Sequence, residues 1–135
     1  MKKFFENSKL AKFILFPNYL AITLGPWAFN KRTYDQECKN HECTHMRQWA
    51  EWTMLSSLII LIIIALTDSS PWWVLTSPLL YYILYIVEWV VRLFINGSSA
   101  YYHISFEKEA YYNESDDSYN TNSSYFSSLK YLFKK

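Results

Sequence analysis

A long stretch with few charges occupies the middle of this chain and limits how it can fold. No lysine or arginine occurs between Arg47 and Arg92, and only three acids do. From residue 41 nothing breaks a helix for about 26 residues, which is about 39 Å of helix. "TDSSP" at 67–71 predicts a turn, and residues 72–95 predict a second helix, which the proline at 78 is expected to kink. The sequence therefore predicts a helical hairpin.

The hairpin carries two uncharged, apolar spans, residues 52–67 and 69–87. A membrane-spanning helix needs about 20 apolar residues; the second span nearly meets this length and the first is a little shorter. A helix that is apolar on all sides needs burial on every face, and tryptophans near the helix ends are typical of a membrane interface. The pattern predicts a transmembrane hairpin. Burial of a soluble hairpin in a partner is the alternative.

The rest of the chain predicts a mainly α domain with one small sheet. "YLAITL" and "WAFNKR", separated by Gly25 and Pro26, favour a small N-terminal β-hairpin. The first long helix is expected to start near Asn40, a good N-cap, and a further helix from about Ser105. Residues 1–114 are predicted to form a single domain. Residues 115–135 are predicted to form a flexible polar tail with a short amphipathic, basic end.

Composition and charge narrow the setting of this domain. The 135 residues are 51% hydrophobic and 20% aromatic, both high for a soluble domain. Two cysteines, Cys38 and Cys43, are too few for a disulfide framework and favour a reducing compartment. A net charge of +1 gives no indication of nucleic-acid binding, and none is expected. Lysines and arginines flank the apolar spans on both outer sides, which predicts both termini, and the site beside them, on the cytoplasmic side of the membrane.

The stretch "NHECTHMRQW", residues 40–49, carries the clearest chemical signal. His41 and His45 are four apart and share one helix face, so both can offer a ring nitrogen to one metal ion. Glu42 lies slightly aside, as in the H-E-x-x-H arrangement of zinc proteases. There zinc lowers the pKa of a bound water molecule toward 7, and the glutamate takes its proton. Gln48 extends the same face.

A catalytic zinc ion needs a third protein ligand and one open position. Counting outward from the predicted turn near Ser69 places the end of the second helix, and the loop after it, level with the two histidines. "SFEKEAYYNE", residues 105–114, is therefore expected beside them. Glu107 and Glu109 are both within reach, but they are two apart, so only one should face the metal ion.

The motifs resemble those of gluzincins, the zinc proteases whose third ligand is a glutamate on a later helix. Glu107 with Ala110 is similar to the E-x-x-A-D helix of membrane-bound CAAX-type proteases, with Tyr111 in place of the aspartate. Glu109 with Ala110 is similar to the E-A-x-x-D helix of thermolysin-like enzymes, with Asn113 in place of the aspartate. Neither register supplies the carboxylate that usually orients a ligand histidine. Glu107 is preferred and Glu109 is the alternative.

Most of residues 20–114 also resembles a family of small bacterial and phage proteins. The resemblance rests on an "AIT-L-P" segment, "NHE-x-x-H-x-R-Q", an aromatic "LYY…EW…R" helix and "AY…ISFE-x-EAY-x-NE", in that order. It implies a minimal zincin-like membrane protein. In zincins a strand before the motif helix often runs along the cleft, and "YLAITL" takes that place by resemblance, with its edge free to bind an extended peptide.

Two interpretations follow. The first is a zinc-dependent metallopeptidase at the membrane surface that binds one Zn²⁺, with the lipid bilayer and a peptide or protein substrate as partners. The second is a catalytically inactive membrane protein with a structural metal site, or a subunit of a larger assembly. Further candidates for stabilising the transition state or supporting the ligands are Gln48, His103, Tyr111 and Asn113. A Cys/His site with Cys43 is disfavoured, because on a helix Cys43 points away from both histidines.

Overall fold

The computed structural model describes residues 3–17 and 19–134. The elements in chain order are β1 (Phe4–Phe5), α1 (Lys9–Ile14), β2 (Ala21–Leu24), β3 (Trp27–Asn30), α2 (Gln36–Thr67), α3 (Leu79–Asn96), α4 (Ser105–Asn113) and α5 (Tyr119–Asn122). Short 3-10 helices cover Pro71–Thr76, Gly97–His103 and Ser127–Tyr131. The prediction of a mainly helical chain with a small sheet is confirmed.

The small sheet has the strand order β1-β3-β2. β2 and β3 form the predicted antiparallel hairpin, with Leu24 opposite Trp27 across a two-residue turn. Gly25 has a φ of 63°, a left-handed conformation that glycine adopts without strain. The third strand, β1, pairs with β3 in parallel. It was not predicted, because two residues are too few for an alternating pattern.

The first long helix, α2, begins four residues before the predicted start at Asn40. Asp35 is the N-cap, and its side chain accepts a hydrogen bond from the backbone N–H of Cys38 at 2.8 Å. Asn40 instead donates to the Glu114 carbonyl and the Asp117 carboxylate, both at 2.8 Å. Asp and Asn are both good N-caps, so residue type alone does not distinguish the two positions. The hydrogen-bond partners of Asn40 are distant in the sequence.

The predicted turn lies where it was expected, since α2 ends at Thr67 and Asp68 adopts a left-handed conformation, but the single helix predicted over 72–95 is wrong. After α2 the chain forms the 3-10 helix Pro71–Thr76, and α3 starts only after Pro78, its N-cap. Proline lacks the N–H that a helix interior needs, so it divides the segment rather than kinking it. This connection runs back along α2, where the Ser56 hydroxyl donates to the Ser77 carbonyl at 2.7 Å.

The apolar halves of the hairpin are exposed. Two helical stretches, Gln36–Thr67 and Leu79–Asn113, are long and apolar enough to cross a membrane, and only 11% and 6% of their most apolar windows are buried. A core helix of a soluble protein would have most of such a window buried. The buried core is correspondingly small, centred on Tyr81, Ile104 and Phe106.

The segment predicted as a flexible tail is folded against α2 and α4 in this structure. We call residues 114–131 the C-terminal strap. Asn120 donates to the Asn40 carbonyl at 3.1 Å, and the Phe126 N–H donates to the Glu51 carboxylate at 2.9 Å. The polar composition that suggested disorder supplies these hydrogen bonds, since α2 presents buried polar groups to the strap.

Candidate metal centre

Three buried side chains meet between α2 and α4, and we call them the His–His–Glu cluster: His41, His45 and Glu107. The two Nε2 atoms lie 3.1 Å apart. Glu107 places Oε1 3.3 Å from Nε2 of His45 and Oε2 3.4 Å from Nε2 of His41. Each side chain offers one ligand atom, and these atoms lie within 4.8 Å of one another. The group could therefore hold a metal ion.

The other ring nitrogen of each histidine has a partner of its own. Nδ1 of His41 lies 3.1 Å from the Glu114 carboxylate. Nδ1 of His45 lies 2.9 Å from the side-chain oxygen of Gln48. When each histidine carries its hydrogen on Nδ1, it donates that hydrogen to this acceptor. Both Nε2 lone pairs then face Glu107. Ligand histidines in metal sites are oriented in this way.

The donor set itself favours a cation at the centre of the cluster. With both hydrogens on Nδ1, two lone pairs face each other at 3.1 Å beside an anionic carboxylate, and they repel. A proton or a metal ion removes this repulsion. Each Nε2 atom lies within 3.4 Å of one of the two Glu107 carboxylate oxygens, and one ligand atom from each residue forms a group within 4.8 Å. Two imidazoles and a carboxylate are common metal ligands, so the donor set suits a divalent metal ion.

Glu109, the alternative third ligand, lies on another side of α4. Its carboxylate is fully buried and accepts hydrogen bonds from Arg47 and from the side-chain amide of Gln48, the latter at 2.8 Å. Tyr119 in the strap also donates to it at 2.8 Å. These donors occupy both carboxylate oxygens, so the structure brings Glu107, and not Glu109, to the histidines.

Glu42 is buried next to the cluster and faces the sheet. Its Oε2 accepts a hydrogen bond from the Thr23 hydroxyl at 2.5 Å. Glu42, His41, His45 and Glu107 all line one cavity of about 430 Å³. A carboxylate held beside the cluster and open to a cavity has the position that a general base needs.

The sheet supplies one wall of this cavity, which we call the site cavity. All four residues of β2 line it, and among the described residues β2 pairs only with β3. The Lys31 N–H donates to the Leu20 carbonyl. The alternation of an antiparallel ladder then turns the main-chain groups of Leu20, Ile22 and Leu24 toward β3, and those of Ala21 and Thr23 toward the free edge.

α3 supplies another wall, with tyrosines that contact the cluster. The Tyr85 hydroxyl donates to Glu107 at 2.6 Å, and the Tyr81 hydroxyl lies 3.3 Å from Nδ1 of His45. Tyr82 accepts a hydrogen bond from the Gly25 N–H at 2.7 Å. The cluster thus lies beside the first half of α3, and not beside its end as the residue count had predicted. The count assumed one continuous α-helix from residue 72, whereas α3 starts only at Leu79 after the 3-10 connection.

The remaining predicted site residues divide between the cluster and the rest of the domain. Gln48 orients His45, as described. The Tyr111 ring packs edge-on against His41, with ring centroids 4.5 Å apart. Asn113 donates to the Glu109 carbonyl and to the Tyr131 hydroxyl, away from the histidines. His103 ends a 3-10 helix and is not among the described residues that line the site cavity.

The cysteines do not join the site. Burial raises the pKa of the Cys38 thiol to about 12, and the carboxylates of Glu42 and Asp35 add to the effect. Burial likewise raises the pKa of Cys43. Both thiols are free. Because only the thiolate is a good metal ligand, these environments disfavour a Cys/His site.

Sequence reasoning missed four side chains at the centre. Glu114 follows Glu107 by seven residues, two helical turns, and that spacing could have identified it as the carboxylate behind His41. Tyr81 and Tyr85 are four apart on one face of α3, a weaker signal in a helix rich in aromatic residues. Thr23 carried no signal, since its contact with Glu42 depends on how the sheet packs on α2.

Comparison of the chain with known protein families, with characterised proteins and with solved structures finds no match.

Proposed function

We propose that this chain is a zinc-dependent metallopeptidase of gluzincin type that acts at a membrane. The observation that carries the proposal is the convergence of the two Nε2 atoms and the Glu107 carboxylate, with each Nδ1 held by an acceptor behind it. The exposed apolar helices support the membrane setting. The zincin-like resemblance of the motifs is consistent with this chemistry and remains part of the proposal.

His41, His45 and Glu107 would hold the zinc ion in this proposal. When bound, zinc supplies a Lewis acid that polarises a peptide carbonyl and lowers the pKa of a water molecule. Glu42 accepts a proton from the attacking water and passes it to the leaving amine. Thr23 holds the Glu42 carboxylate in place through its hydroxyl, and Glu114 and Gln48 hold the imidazoles.

The edge of β2 binds the substrate backbone. An extended peptide can pair with the free main-chain groups of Ala21 and Thr23, as peptides do at other exposed strand edges. Glu42 contacts Thr23, so a peptide on that edge has its carbonyls close to the base and to the cluster. The site cavity beside β2 has room for the flanking side chains.

Glu42→Gln tests the enzymatic role. The amide keeps the shape of the side chain and an oxygen for the Thr23 hydroxyl, but it does not accept a proton from water. The variant should retain zinc and lose cleavage of a quenched-fluorescent peptide library by about a hundredfold or more. Equal cleavage by the wild type and the variant would contradict the assignment.

A structural metal centre is the second candidate, and one observation favours it. Aromatic side chains crowd the cluster, with the Tyr85 hydroxyl on Glu107 and the Tyr111 ring against His41. A structural site has a closed fourth position, whereas a catalytic site exchanges water or inhibitor there. Cobalt substitution distinguishes them: the visible spectrum should change on addition of a hydroxamate in the enzyme, and should not change in a closed site.

A further inference from the structure

The lining of the site cavity is apolar apart from the residues already assigned. Among the described residues that line it there is no lysine, arginine or aspartate, and its only carboxylates are Glu42 and Glu107. The other side chains are aliphatic or aromatic, with the exception of Thr23. A charged side chain placed there would lose its hydration and find no partner of opposite charge outside the catalytic groups, which is costly.

The rim of the site cavity is apolar as well. Four large side chains both line it and are exposed: Ile14 at 48%, Phe16 at 76%, Tyr19 at 37% and Trp89 at 40%. The first three belong to α1 and the residues after it, and Trp89 belongs to α3. Apolar and aromatic groups from two separate segments therefore border the cavity.

α3 has one face on the cavity and another on the outside. Tyr81, Tyr85 and Trp89 follow the four-residue spacing of the cavity face. The same turns expose Ile83, Ile86, Val87 and Val90, each at 40% or more. A helix that is apolar on its outer face needs an apolar environment. The site cavity is therefore level with the turns of α3 that would contact lipid.

We propose that the site cavity takes an extended polypeptide segment with uncharged, apolar side chains, which enters from the lipid side of the molecule. The main-chain groups of Ala21 and Thr23 bind its backbone, and the aliphatic and aromatic walls take its side chains. This inference rests on the proposed function, because it names the substrate class of the same site. Segments of this kind occur where membrane proteins enter or leave the bilayer.

The test compares two short peptides in the full chain, reconstituted in nanodiscs of phosphatidylcholine and phosphatidylglycerol. One peptide has valine and leucine around its centre, and the other has glutamate at those positions. Binding to Glu42→Gln is measured by the anisotropy of a fluorescein label, and cleavage by the wild type is measured by mass spectrometry. We expect the apolar peptide to be preferred about tenfold or more in binding.

Two arginine substitutions, one at the rim of the site cavity and one away from it, test whether the rim selects the peptide. Trp89→Arg should improve binding of the glutamate peptide relative to the apolar one. Tyr102→Arg is the control, because Tyr102 is 61% exposed but lies outside the described lining of the site cavity. Zinc content per chain reports whether each variant keeps its fold.

The two readouts separate this inference from the proposed function. Selective binding of the apolar peptide without cleavage would support the inference and contradict the peptidase. Cleavage of both peptides at equal rates would support the peptidase and overturn the inference. Equal binding of the two peptides, or no binding of either, would also overturn it.

Discussion

Two buried polar clusters lie side by side between α2 and α4, and they differ in how their charge is balanced. In the arginine cluster, Arg47 pairs with Glu51 at 2.7 Å and with Glu109. In the His–His–Glu cluster, Glu107 pairs, among the ion pairs of the described residues, only with the two histidines. The first cluster contains a permanent cation and the second does not. The difference explains why two glutamates two residues apart have different roles.

The largest expected effect comes from removing the built-in cation. Arg47→Met leaves Glu51 and Glu109 buried without their counter-charge, which typically costs about 3–5 kcal/mol. The free energy of unfolding, measured by denaturant titration in detergent micelles, should fall by that amount. Lys9→Met, on the short helix α1, is the control and should change stability little. A small loss in Arg47→Met would mean that the arginine cluster is not a major support of the fold.

The second prediction concerns the cluster without a permanent cation. Zinc at a hundred times its dissociation constant should stabilise the wild type by about 2.7 kcal/mol, because it binds the folded state. Glu107→Gln should lose this stabilisation and Glu109→Gln should keep it, although the latter starts from a lower stability. Thermal unfolding with and without zinc measures the difference. Equal zinc effects in both variants would remove the distinction between the clusters.

The third prediction concerns the carboxylate behind the first histidine. Glu114→Gln keeps a hydrogen-bond acceptor for Nδ1 of His41 but removes the charge. Loss of such a supporting carboxylate typically lowers metal affinity about 10–100-fold. Competition with a zinc-binding dye gives the dissociation constant. An unchanged value would show that the strap does not support the metal centre.

The smallest effect is expected at Tyr111. Tyr111→Phe retains the ring that packs on His41 and removes only the hydroxyl, so zinc affinity should change by less than about threefold. A larger loss, measured by the same dye competition, would assign the hydroxyl a role that its ring contact does not explain.

The sequence predicted that the two histidines lie together, and it left open which glutamate joins them. His41 and His45 share a face because helix geometry fixes residues four apart. Glu107 and Glu109 were both within reach, and the choice between them depends on Arg47, whose pairing with Glu109 spans 62 residues. A local pattern contains no information about such a contact.

The fold was predictable where local rules decide it. The β-hairpin followed from two apolar runs around Gly25 and Pro26, and the helices from long unbroken stretches. The alignment of α3 with α2 was not predictable. It depends on the 3-10 connection Pro71–Thr76, whose length follows from no local sequence pattern. The C-terminal strap was also missed, because its hydrogen bonds need partners on α2 that are already in place.

The most direct test of the account is the zinc content of the detergent-purified protein beside Glu107→Gln and Glu109→Gln, measured by mass spectrometry after zinc is supplied. The account predicts about one zinc ion per chain in the wild type and in Glu109→Gln, and none in Glu107→Gln. A wild type without zinc, or a Glu107→Gln variant that retains it, would contradict the central claim.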